Sequence, residues 1–203
     1  MLTWTGILQL GVFTACLTQL LGLAIDQFKR FLLRRTDARH LALRLAVMLE
    51  KFGIECADAI SANDLYRSSG GHAGRQVCAI PRFPELPTDA SWNILDTRLA
   101  ARIAAMTNER MIGEGQIDFY WDALGEPDVM YGTTDNQCGK CGYRAWKIAC
   151  DLRKRYELPQ VDTRGLTWNF TKTLKQHHDY AMKLIDERMC EEDKDKVTTS
   201  VSA

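Results

Sequence analysis

A chain of 203 residues holds one domain of ordinary size plus an appendage, which excludes two full catalytic domains. Hydrophobic residues at 46% and charged residues at 26% supply a core, so the composition excludes disorder along most of the length. Lys+Arg and Asp+Glu both number 26, which disfavours a nucleic-acid partner bound through bulk charge. The charge that exists is placed unevenly.

From Met1 to Ile25 there is no Asp, Glu, Lys or Arg, and residues 7–25 read ILQLGVFTACLTQLLGLAI. A helix rises about 1.5 Å per residue, so about 20 such residues cross a hydrocarbon core of about 30 Å. Lys29, Arg30, Arg34, Arg35, Arg39 and Arg44 follow at once, against Asp26 and Asp37, a net charge of +4 over residues 26–44. Residues 45–203 carry 20 basic and 24 acidic side chains. A secretory signal peptide would carry its positive charge before the apolar run rather than after it. The pattern therefore predicts a transmembrane anchor over residues 1–27, with the lipid bilayer as partner. Basic flanks stay in the cytoplasm, which predicts the N-terminus outside and the C-terminal domain cytoplasmic. The flank itself is assigned to Lys29, Arg30, Arg34, Arg35 and Arg39. Gly11, Ala15, Thr18 and Gly22 form a small-residue stripe on which two such helices could self-associate. The competing reading is a soluble helical protein whose N-terminal helix is buried.

Residues 28–66 are expected to form a basic juxtamembrane stretch and a first amphipathic helix from about Asp37 to Ile60. Leu41, Leu45, Met48, Leu49, Phe52, Cys56 and Ile60 recur there at three- and four-residue intervals. Residues 67–90 carry Gly70, Gly71 and Gly74, then Pro81, Pro84 and Pro87, and predict a stiff connector with polyproline character. The remainder, 91–190, is expected to be helical. One helix is predicted from Ser91 to Ile112 with Leu95, Leu99, Ile103 and Met106 on its stripe. A short turn of helix and then a loop, rich in Gly, Asp and aromatics, are expected over 113–136. Further helices are expected over Gly142–Tyr156 and Leu166–Met189, with a polar tail over 191–203. No segment alternates as a strand would. The predicted fold is mainly α: one N-terminal transmembrane helix, then a small antiparallel helical bundle with little or no sheet.

Seven cysteines lie in the chain, and six of them fall in the part placed in the cytoplasm, where thiols are kept reduced. Cys138-Gly139-Lys140-Cys141 is the sharpest local motif, since two thiolates at this spacing can hold one metal ion. A structural zinc site would need two more ligands, for which His177, His178 and Cys190 are the candidates. Cys150 lies about 13 Å further along a helix and is too far. A redox dithiol ahead of a helix N-terminus is the other chemistry open to the pair, and incidental loop cysteines are the simpler account. His177-His178-Asp179 places a carboxylate beside an imidazole, but neighbouring positions on a helix diverge by about 100°. His177 is expected to line the bundle and His178 to face water. The aromatics Phe119, Tyr120 and Trp121 are expected to join Trp92, Trp146 and Trp168 in the core and its cover. Gly70 to Arg75 lacks the Lys-Ser/Thr ending of a phosphate loop. No catalytic set is assembled by spacing. The expected function is that of a single-pass membrane protein whose cytoplasmic helical domain is an interaction or accessory module for a protein partner. A zinc-binding or thiol-redox domain centred on Cys138 and Cys141 is the alternative.

Overall fold

A computed structural model of the protein describes residues 4–124, 127–163 and 168–201, without the side chains at 4–18, 20, 24, 124, 127, 128, 130 and 191–201. It is mainly helical, and no strand occurs among the described residues. Four α-helices, α1 (Trp4–Ser68), α2 (Thr97–Leu124), α3 (Pro127–Arg155) and α4 (Phe170–Val201), are joined by a short 3-10 turn at Trp92–Ile94 and by extended segments.

The 65 residues of α1 form one unbroken helix, about 98 Å long at the usual rise. Its C-terminal half is core. Leu41, Ala42, Leu45, Ala46, Leu49, Phe52, Cys56, Ala57 and Ile60 are buried, as their spacing implies. Its described N-terminal part is bare, for every residue from Ile25 to Asp37 is exposed. Among the described residues no helix is long and apolar enough to cross a membrane. Most of the apolar run predicted to do so lies outside the described side chains, as do Gly11, Ala15 and Thr18 of the small-residue stripe.

α3 lies at the centre and packs on α1, α2 and α4. It runs antiparallel to each of them. Glu50 meets Arg153 and Arg67 meets Asp135; Arg102 meets Asp151; Trp146 meets Phe170. α1 and α2 are therefore parallel, a departure from simple up-and-down connectivity. The extended segment between them makes this possible by running back along α1. Arg75 pairs with Asp58, Asn63 binds the Val77 backbone, Phe83 stacks edge-on to Phe52 at 5.1 Å, and Asp89 reaches Arg44. Ile80 and Pro87 are buried along this path.

Several boundaries differ from expectation. α2 begins at Thr97, because Asp96 rather than Ser91 caps it: the Asp96 carboxylate accepts from the amides of Arg98 and Leu99 at 3.0 and 3.3 Å. The predicted turn and loop over 113–136 are mostly helix. Gly113 and Gly115 each cost a helix about 1 kcal/mol. Gly113 offsets this by packing, since a Cβ there would stand 2.8 Å from Ile80 and 3.0 Å from the Gln137 amide. Finally, α4 starts after Asn169, whose side chain accepts from the Lys172 amide at 3.1 Å, and continues to Val201 through the residues predicted as a polar tail.

Candidate functional site

The predicted thiol motif does not sit in a loop. Cys138 and Cys141 lie in the middle of α3, one turn apart on its buried face, and both are fully buried. Cys56 of α1 is hydrogen-bonded to Cys138, so three thiols meet where α1 crosses α3. Burial pushes the Cys141 thiol up to about 12 and raises that of Cys56 well above its ordinary value. Such thiols are protonated packing groups at neutral pH rather than nucleophiles.

The glycines in and beside the motif let helices touch. A Cβ on Gly142 would stand 2.7 Å from the Cys56 Cβ and from a Leu174 methyl. Gly53 of α1 meets the Gly142 carbonyl in the same manner, at 3.2 Å. A Cβ on Gly139 would collide with the His177 side chain and lie 2.9 Å from the backbone of α4. Cys-Gly-Lys-Cys-Gly is thus a seam along which α1 and α4 close on α3.

The other predicted ligands are dispersed. His177 packs against Gly139 and lines a shallow cleft of about 220 Å³ with Arg67, Asp135 and Tyr180. His178 does not face open water: its side chain is 21% exposed, tilted over the Tyr143 ring at 4.9 Å, with Nδ1 3.1 Å from an Asp179 oxygen. Cys190 is exposed, about 20 Å further along α4. Among the described residues no group of three His, Cys, Asp or Glu is placed to hold a metal ion. Phe119 and Trp121 are also misplaced by the sequence reading. They are 65% and 47% exposed on α2, whereas Trp146 packs on the core.

Sequence reasoning missed a buried polar cluster at the end of the bundle farthest from Trp4. Asp135 is 1% exposed and accepts from Asn63 at 2.8 Å and Arg67 at 2.6 Å. Asn63 also exchanges two hydrogen bonds with the Val77 backbone, at 2.8 and 3.0 Å. Burial raises the Asp135 carboxyl, and the Asn63 hydrogen bond and the Arg67 charge oppose that rise. Asn63 therefore joins α1 to α3 through Asp135 and to the returning segment through Val77. An Asn, Arg and Asp spread over more than seventy positions have no local signature in a sequence.

The basic flank is the predicted group that the fold organises most. Lys29 and Arg30 project from the bare part of α1. Arg34, Arg35 and Arg39 instead line a cleft of about 690 Å³ between α1, the 3-10 turn ahead of α2 and the end of α3. Arg35 pairs with Glu157 at 3.1 Å, and Arg39 donates to the Glu157 carbonyl at 3.1 Å. Glu157 itself adopts a left-handed φ of 53°, the conformation that ends α3 and turns its carbonyl toward Arg39. Arg155 and Asp96 complete that end, 3.7 Å apart. Compared with known proteins, the chain matches no family model, no curated protein and no solved structure.

Proposed function

We propose that the chain is a single-pass membrane protein, with residues 1–27 crossing the bilayer and the helical bundle held at its cytoplasmic face as an interaction or accessory module. The observation that carries this reading is the state of α1 from Leu21 to Leu33. Leu21, Leu23, Ile25, Phe28, Phe31, Leu32 and Leu33 are each between 44% and 64% exposed, and no bundle element covers them. Burying such a side chain is worth roughly 1.5–3 kcal/mol, so a helix this apolar needs a cover. At about 100° per residue, Leu21, Ile25, Phe28 and Leu32 share one face while Leu23 and Leu33 lie on others. Lipid covers every face, whereas one partner helix covers only a stripe.

The charge-free run at 7–25 and the arginines behind it support insertion, and the same arginines support the cytoplasmic orientation. The interaction role is supported by a second bare patch. Met111, Ile112 and Phe119 stand on one side of α2, each more than 60% exposed. Alkaline extraction of membranes tests the anchor: the full chain is expected to stay in the pellet, and a chain lacking residues 1–27 to become soluble. Reporters fused at each end test the orientation. Release of the full-length chain into the supernatant would sink the reading.

A further inference from the structure

We infer that the cleft beside Glu157 binds the phosphate of an anionic phospholipid headgroup; this rests on the anchored reading above. Four guanidinium groups, from Arg34, Arg35, Arg39 and Arg155, converge there against the two carboxylates of Asp96 and Glu157. Positive charge is in excess, four groups against two. Arg39 spends its bond on a neutral carbonyl, so its full charge remains. The Arg155–Asp96 separation of 3.7 Å is too long for a good hydrogen bond, and Arg155 is 65% exposed. Arg34 has no carboxylate partner among the described residues. A guanidinium fork matches a phosphate in both shape and charge.

The remaining walls favour a lipid over a free phosphate. Phe31, Ile94 and Leu95 bring apolar surface to the same cleft, which suits the glycerol and the first acyl carbons behind the phosphate. Its position is also right. Phe31 stands six residues beyond Ile25, about 9 Å along the axis, where a helix leaving the hydrocarbon meets the headgroup layer. Basic clefts at the cytoplasmic ends of membrane helices take anionic headgroups by this chemistry. Lys29 and Arg30, which are not part of the cleft lining, supply the control for diffuse attraction.

The test is lipid retention by the purified full chain in detergent, presented with equimolar phosphatidylglycerol and phosphatidylcholine and read by native mass spectrometry. One phosphatidylglycerol per chain is expected, preferred about tenfold over phosphatidylcholine. Arg34→Gln with Arg155→Gln should remove most of that preference, and Lys29→Gln with Arg30→Gln should keep it. Both side-chain pairs are exposed, and unchanged melting of the variants confirms that their folds are intact. Equal loss in the two double variants would assign the effect to diffuse charge and overturn the cleft. Displacement by millimolar inorganic phosphate would assign it to a soluble phosphate and overturn the lipid. A chain that resists alkaline extraction yet shows no anionic preference overturns this inference alone; release on extraction overturns the anchor itself.

Discussion

Arg153 grips Glu50 with two prongs across 103 positions of sequence, its Nη2 2.8 Å from Oε2 and its Nε on Oε1, while Nη1 donates to the Pro159 carbonyl. Both side chains are buried, so the pair ties α1 to the end of α3 and to the chain that leaves it. Desolvating two charges offsets most of what they gain from each other, but either one alone is left stranded. Arg153→Ala should therefore cost about 3–5 kcal/mol in urea denaturation. Glu50→Leu combined with Arg153→Met should lose far less. If the double variant is as unstable as Arg153→Ala, the stranded charge is not the cause.

The glycine seam predicts opposite signs for one kind of substitution. Alanine is favoured over glycine in a helix by about 1 kcal/mol. Gly115 has nothing within 4 Å of its missing Cβ, so Gly115→Ala should stabilise by about that amount. Gly139→Ala meets the backbone of α4, which has to move as a body. There a net loss of about 1–3 kcal/mol is expected from overpacking. Equal effects at the two positions in thermal or urea melts would refute the close approach.

The buried thiols give the stability a slope at alkaline pH. Well below pH 9 the Cys141 proton is held in both the folded and the unfolded chain. Above that the unfolded chain releases it first, because burial keeps the folded thiol protonated up to about 12. Unfolding then releases a proton, and stability must fall as pH rises. At pH 10.5 the loss from this one group is about 2 kcal/mol. Cys141→Ala should flatten the decline between pH 8 and 10.5, with urea midpoints as the readout. A wild-type slope that survives the substitution would place the titrating group elsewhere.

Asn63 should act at a distance from its own helix. Asn63→Ala strips both bonds from the Val77 backbone and one donor from Asp135. Unmet buried groups of this kind cost about 1–3 kcal/mol each. The returning segment should loosen before the helices do, so limited trypsin digestion is expected to cut faster at the exposed Arg75 and Arg82. Unchanged cleavage at those two sites would show that the segment is held by Ile80 and Phe83 instead.

The core half of α1 was legible because Leu41, Leu45, Leu49 and Phe52 are large and apolar, and their period survives any context. The first half of α3 was not. Its buried face is Tyr131, Thr134, Asp135, Cys138, Cys141 and Gly142, a run with a helical period but little hydrophobic signal. Glycines there look like turn formers until the neighbouring helices that exploit them are placed. The same limit applies to the clefts. Arg34, Arg35 and Arg39 stand out as a charged flank in sequence, but Asp96, Arg155 and Glu157 join them only through the return of α2 and α3. Helical class and basic flank are properties of local pattern; the meeting of distant side chains is a property of topology.

An unbroken α1 also leaves the bundle no swivel. The residues that pack against α3 and those that stand bare belong to one stiff rod, with no proline or loop between Ile25 and Leu41 to absorb a twist. One residue inserted after Asp26 would turn the whole bundle by about 100° about that rod and lift it by about 1.5 Å. Whatever grips the upper part of α1 thereby sets the compass bearing of every side chain on α2, α3 and α4.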